Sequence, residues 1–353
     1  MVRRWVGTGV FVALLSVSCN GSGSGPSDPA LSPTVSTLAP TPTVNTLAPT
    51  RPSPDASTGG PADLVWTSSS WVTMPWPDDV AVAGDGRVYV RDVAKARITT
   101  LDAEGDIVGG WGGAGTGEGQ FEFRDYEDPH AASYGGMTIV DDVVYVADKS
   151  RVQLFDLDGR YRGSWGSRGR GPGQFLKVFG MAGGPDGHVY IVDEVLDIVQ
   201  SFTTRGRPVA RWPLEVKTLR YPTALCVTPR NEVVVTDVKG DLLAERPAVR
   251  IHKFSSTGRL VTSWGRADDN DGSFDPGEFM NGGRGIACSD DGRVYVTDDT
   301  VNVIQVFDLR GRYLFSFGGP LGSQPNAAVA VSGDSVFSTD GGAGTVSRFR
   351  LSR

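Results

Sequence analysis

Histidine, the side chain best suited to proton transfer and zinc binding near neutral pH, occurs only at His130, His188 and His252. His130 lies in a polar connector, His188 opens an alternating apolar run and His252 lies inside another. Placed at different levels of the pattern, the three do not converge on one zinc ion. The stretch "ADDNDGSFDPGE" (267–278) offers better cation chemistry. Counted as an EF-hand loop, Asp269, Asp271, Gly272, Phe274, Asp275 and Glu278 fall where such a loop wants them. Ala267 replaces the leading aspartate, Pro276 interrupts the loop and no helical pattern flanks it. An acidic surface loop is therefore preferred, with Asp269, Asp271 and Glu278 kept as a calcium candidate; no other cofactor is expected. Asp92, Asp148, Asp193, Asp237, Asp298 and Asp340 each end an alternating run. Such an aspartate accepts hydrogen bonds from backbone N–H groups of the following turn, so architecture explains it better than catalysis. No G-x-S-x-G, Cys-His pairing, phosphate loop or paired-carboxylate cleft stands out.

Those aspartates mark an internal repeat. The runs are "VYVRD", "VYVAD", "VYIVD", "VVVTD", "VYVTD" and "VFSTD", and the gaps between their aspartates are 56, 45, 44, 61 and 42 residues. A unit of a little over forty residues, with insertions in two gaps, fills the chain from residue 63 to its end. Each unit reads as four strands. A small apolar strand such as "DVAVAG" (79–84) or "TALCVT" (223–228) comes first, and the anchor strand follows. A third strand such as "RVQLFD" comes next, and a fourth runs to Trp111, Trp165, Trp212, Trp264 or Phe317. Small residues in the first strand and bulky ones closing the fourth suit sheets that stand radially about an axis, crowded inside and splayed outside. That is a six-bladed β-propeller. The sixth unit stops after three strands, and "DLVWTSS" (63–69) can supply the fourth, closing the ring. Cys226 and Cys288, in the first strands of units 4 and 5, are one place out of phase and point to opposite faces of neighbouring blades. A disulfide requires those faces to meet; small buried thiols are the preferred reading, with the pairing left open.

The connectors "WGGAGTGEGQF" (111–121), "WGSRGRGPGQF" (165–175) and "DGSFDPGEF" (271–279), with "GIACSDDGRVYVTD" and "IQVFDLRGRYLFSFG", resemble the NHL repeat. The resemblance covers 63–353 and is clearest in units 2 and 5. It implies an all-β, six-bladed NHL-like propeller that binds proteins, peptides, glycans or RNA, or serves as a sensor module. A related branch with the same blade pattern contains lyases and lactonases that use zinc or calcium.

The ends of the chain bear on location. "MVRRWVGTGVFVALLSVSC" has Arg3 and Arg4, an apolar run too short to span a bilayer, and small residues before Cys19. "LLSVSC" resembles the lipobox of bacterial lipoproteins. The expectation is a lipoprotein-type signal peptide over 1–18, acylation of Cys19 and a disordered Ser/Thr/Pro-rich linker over 19–62. The propeller would then stand at the extracytoplasmic side of the cell envelope, touching membrane only through its anchor. A formal net charge of −7 argues against a nucleic-acid surface.

The remaining candidate is the rim formed by loops entering the first strands. It contains Asp78 and Asp79, Tyr126, His130, Tyr134, Lys177, Arg220, Tyr221, Asn281, Arg284 and Asn326. The longest of these loops, "RDYEDPHAASYG" (124–135), mixes aromatic and acidic side chains that suit a peptide or glycan. The residues favour binding, scaffolding or sensing through a rigid disc over catalysis. A calcium- or zinc-dependent lyase or hydrolase on the same fold is the alternative.

Overall fold

The computed structural model describes residues 62–69, 74–124, 133, 135–214, 222–239, 248–265, 285–298, 303–318 and 328–352. These form six antiparallel four-stranded sheets arranged as a β-propeller, here called blades 1–6 in chain order. From the axis outward, blade 1 consists of Pro77–Val82, Val88–Asp92, Arg97–Leu101 and Ile107–Gly112. Blade 2 runs Met137–Val140, Val143–Asp148, Arg151–Asp156 and Tyr161–Trp165, and blade 3 Val178–Gly183, His188–Asp193, Ile198–Thr203 and Pro208–Pro213. Blade 4 runs Pro222–Val227, Val233–Lys239, Ala248–Phe254 and Leu260–Trp264, and blade 5 Ile286–Cys288, Arg293–Asp298, Val303–Asp308 and Tyr313–Phe317. Blade 6 combines Val329–Ser332, Ser335–Asp340 and Thr345–Leu351 with Ala62–Ser69 as its outermost strand. Each inner strand packs beside that of the next blade, and that of blade 6 packs against blade 1.

Closure follows the register expected from the repeat count. Ala62 pairs with Leu351 and Ser69 with Thr345, so the ends of the described domain share one sheet. A second device reinforces it. At the turn between the third and fourth strands stands a glycine with positive φ, and the outer-strand tryptophan of the preceding blade covers it. Trp111 covers Gly159, Trp165 covers Gly206, Trp212 covers Gly258 and Trp264 covers Gly311. Trp66, from the closing strand of blade 6, covers Gly105 of blade 1 in the same way and donates from Nε1 to Ala103 O at 3.0 Å. A Cβ on Gly105 would stand 2.7 Å from the indole, and φ there is 92°, so only glycine fits without strain. The ring is latched at its seam by the same contact that joins blades 1 to 5.

There is no single core. Alternation along each strand sends successive side chains to opposite neighbours, giving six apolar slabs between blades. Tyr89 faces blade 2 while Val88 and Val90 face blade 6. Most of the largest fully buried side chains, among them Tyr89, Tyr145, Tyr295, Phe155, Phe202, Phe254 and Phe307, lie on second and third strands, while Phe121, Phe123 and Phe175 come from the connectors. Bulk therefore fills the middle of each blade as well as its rim, whereas the outer strand of blade 1 is largely exposed.

The preference for free thiols at Cys226 and Cys288 is overturned. The two are joined in a disulfide, with Cα atoms 5.5 Å apart. Cys226 points with Ala224 into the slab between blades 4 and 5, and Cys288 points into that slab from the other side. The one-place phase difference turns the sulfurs toward each other because these two faces are the facing ones.

The glycine-rich connectors have a defined structural role. Gln120 Oε1 accepts from Gly117 N–H at 3.1 Å, rounding off the loop. Gln153 of blade 2 then accepts from Gly119 N–H at 3.0 Å and donates to Gln120 O at 2.6 Å. Gln174 and Gln200 repeat this arrangement at blade 3. Three anchor aspartates behave as expected, whereas Asp148 accepts from Glu122 N–H and the Arg151 guanidinium. Asp92 accepts from Ala94 and Lys95 N–H, Asp193 from Val195 and Leu196, and Asp340 from Ala343. Burial raises the carboxyl pKa of Asp92, Asp148 and Asp340 against these donors. Among the described residues no helix is long and apolar enough to cross a membrane.

Candidate binding site at the channel mouth

The six inner strands enclose a cavity of about 250 Å³ along the axis. One residue position along it is small in four blades. It is the inner-strand residue level with the anchor-strand residue preceding the aspartate, and it is Gly180 in blade 3, Ala224 in blade 4, Gly285 in blade 5 and Ala328 in blade 6. In blade 1 it is Asp79, level with Arg91. At this position a carboxylate thus stands where blades 3 to 6 have glycine or alanine, although larger side chains such as Met181 and Leu225 line the cavity elsewhere.

A β-bulge sets this up. The register shifts between Pro77 and Asp79, so Asp78 is the extra residue, and the same shift occurs at Phe179 and Thr223. Both Asp78 and Asp79 thereby line the cavity with Arg91, and these three are its only charged lining residues among those described. Asp78 and Arg91 form a two-pronged ion pair, Nε to Oδ1 at 2.9 Å and Nη2 to Oδ2 at 2.8 Å, with side chains 1% and 4% exposed. The Arg91 guanidinium also lies 4.9 Å from the centre of the Phe123 ring.

Asp79 is held differently. Its Oδ1 accepts from Val80 N–H at 2.9 Å and its Oδ2 from Met137 N–H at 2.6 Å, tying blade 1 to blade 2 at the narrow end. Desolvation in the channel pushes its carboxyl up to about 7, opposed by Arg91 and then reinforced by neighbouring Asp78; the two backbone donors pull it down. At neutral pH this carboxyl is therefore divided between a proton donor and an anionic acceptor.

The position of Arg91 is filled elsewhere by smaller groups. Thr297 and Thr339 accept from Gly285 and Ala328 N–H at 3.2 and 2.9 Å, and Thr236 meets the Thr223 hydroxyl at 3.0 Å. Those blades seal their inner edge with a hydroxyl, whereas blade 1 uses an ion pair. The signal is visible as "VYVRD", the one anchor run with a charged residue before its aspartate. The rim reading included Asp78 and Asp79 but missed Arg91.

Of the other expected rim residues only Lys177 lies among those described. Its Nζ meets Glu194 Oε2 at 2.6 Å and stands 5.0 Å from the Phe179 ring centre, beside the cavity wall rather than in it. Tyr126, His130, Tyr134, Arg220, Tyr221, Asn281, Arg284 and Asn326 lie outside the described residues, as do the calcium candidates Asp269, Asp271 and Glu278 and the acylation candidate Cys19. Among the described residues no three His, Cys, Asp or Glu side chains cluster in a way that could hold a metal ion.

Comparison with solved structures places the fold among known propellers. The PQQ-bound aldose sugar dehydrogenase of Streptomyces coelicolor matches with a TM-score of 0.55 at 15% identity, covering 82% of this chain and 98% of that one. Virginiamycin B lyase from Staphylococcus aureus gives 0.53 at 12% identity, covering 82% and 100%. A streptogramin B lyase gives 0.51 at 15% identity, covering 83% and 87%. At these identities the likeness is one of fold. No protein-family model matches the chain. No curated protein matches it either.

Proposed function

We propose that the chain is an exported, NHL-type propeller that works by binding, with a protein, peptide or glycan ligand seated at the channel mouth of blade 1. The observation that carries this reading is the carboxyl of Asp79 at a position that is glycine or alanine in blades 3 to 6. Asp78 and Arg91 neutralise each other, so among the described lining residues Asp79 is the ionisable group left for a ligand to meet. A protruding amine or hydroxyl group would donate to it, and the small neighbouring residues leave room for such a tip. Rigidity favours recognition, since six slabs, a disulfide and the tryptophan latch hold the wall in place before any ligand arrives.

Three further features support the wider reading. The glutamine-centred loops at Gln120 and Gln174 give the motif residues of the NHL resemblance a mechanical purpose. A disulfide in the channel wall suits an oxidising compartment, in line with the signal-like segment before Cys19. The Ser/Thr/Pro-rich stretch over 19–62 would act as a tether holding the propeller away from the membrane. Mass measurement of the mature N-terminus tests acylation of Cys19, and an unmodified or differently cleaved end would remove the anchor. Glycan and peptide arrays probed with the mature protein and its Asp79→Ala variant test the site. Ligands retained at full strength by the variant would overturn it.

A further inference from the structure

Blade 4 holds a serine, a histidine and an aspartate side by side, away from the channel. His252 stands in register between Val235 and Ser263. Its Nδ1 lies 2.7 Å from Ser263 Oγ, and its Nε2 lies 3.7 Å from Asp237 Oδ2. The imidazole and the carboxylate are 1% and 0% exposed, whereas Ser263 is exposed.

The other blades show what this place ordinarily does. The position of His252 is Gln153, Gln200 and Gln305 in blades 2, 3 and 5. Gln305 Nε2 donates to Asp298 Oδ2, the counterpart of Asp237, at 2.5 Å. Gln153 and Gln200 donate instead to the Gln120 and Gln174 carbonyls, so blade 5 is the precedent for a donor facing the anchor aspartate. His252 follows the blade 5 pattern when Nε2 carries the proton and faces Asp237, which leaves Nδ1 as a base toward the serine. The facing serines of blades 2 and 5 are otherwise engaged: Ser164 and Ser316 accept from the Tyr161 and Tyr313 hydroxyls, each at 3.1 Å. In blade 4 the tyrosine position is Leu260, and Ser263 turns to the imidazole. The hairpin differs too. Strands two and three of blade 4 continue past Asp237 through Val238–Val249 and Lys239–Ala248, so no tight turn begins at this aspartate.

We propose that Ser263, His252 and Asp237 form a nucleophilic acyl-transfer site for small, activated esters that reach the blade surface. Ser263 Oγ bonds to the acyl carbon as its proton passes to His252 Nδ1, and Asp237 stabilises the resulting imidazolium through Nε2–H. The ester C–O bond then breaks, and the proton leaves on the departing alkoxide. Water, deprotonated by the same Nδ1, attacks the acyl-serine, releases the acid and restores the hydroxyl. The ring faces its partners through the opposite nitrogens from those of the familiar serine-hydrolase triad, but either imidazole nitrogen can serve as the base. At 3.7 Å Asp237 acts on the imidazolium by charge rather than through a short hydrogen bond.

The test uses a fluorophosphonate, which phosphonylates activated serines with loss of fluoride, followed by peptide mass mapping of the mature protein. Ser263 is expected to be labelled, and Ser164, the exposed serine at the same place in blade 2, serves as an internal control. His252→Gln introduces the side chain that blades 2, 3 and 5 carry, so the fold is kept, and it should slow labelling by about 100-fold or more. Thermal melting of that variant confirms folding, and release of nitrophenolate from p-nitrophenyl acetate should fall in parallel. An unlabelled Ser263, equal labelling of Ser164, or an unchanged rate in folded His252→Gln would each overturn the proposal. None of these outcomes bears on the channel-mouth reading, which depends on Asp79.

Discussion

Removing the disulfide between Cys226 and Cys288 should lower stability without altering the folded molecule. The bridge joins residues 62 positions apart, so in the unfolded chain it closes a loop of that size. The entropy withheld from that loop corresponds to about 4 kcal/mol at room temperature. For a domain of this length the unfolding entropy near the midpoint is roughly 0.6 kcal/mol per degree, so the thermal midpoint should fall by about 7 °C. The assay is a thermal melt followed by circular dichroism under four conditions: wild type and the Cys226→Ala/Cys288→Ala double variant, each with and without a phosphine reductant. Wild type should lose its advantage when reduced, whereas the double variant should be low in both. Alanine avoids burying a new hydroxyl in the slab, and the native spectra should superimpose. Equal midpoints for all four samples would refute the facing geometry assigned to the inner strands of blades 4 and 5. A further fall on adding reductant to the double variant would show that the reductant acts elsewhere.

Three other outcomes are expected. Gly105→Ala should cost about 2–3 kcal/mol, because its Cβ would meet the Trp66 indole at a positive φ; urea unfolding measures it. Arg91→Ala should cost about 3–5 kcal/mol by leaving Asp78 buried and unpaired, whereas Arg91→Met with Asp78→Leu should recover most of that loss in the same urea assay. Asp79 should make stability depend on pH in a defined direction. Its folded pKa of about 7 exceeds the unfolded value of 3.8, so its contribution is full below about pH 4 and declines as pH rises to about 7. Subtracting the Asp79→Asn profile from that of wild type isolates this slope from carboxyls held low, such as Asp156 and Asp308; a flat difference, or one of opposite sign, would contradict the burial assigned to Asp79.

The blade count, strand order and closing strand were legible because they depend on local patterns repeated along the chain. Alternation marks a strand, glycine marks a turn, and an anchor run recurring six times leaves one missing partner for "DLVWTSS". The purpose of the connector glutamines was only half visible: the motif was plain, but its partners Gln153 and Gln200 belong to the following strands. Other features were out of reach. Sequence alone placed Cys226 and Cys288 one step apart in phase, yet which faces meet depends on the handed order of blades around the axis. Arg91 stood out by type, but its pairing with Asp78 requires the bulge that turns two successive carboxylates toward the channel. Ser263, His252 and Asp237 lie on three strands and come together only through register. The sequence itself determined the strands and their number, because side-chain alternation and turn chemistry act over a few residues. Tertiary structure alone decided which side chains face one another across and between sheets, because a contact there depends on how distant segments are turned, and no local pattern records that angle.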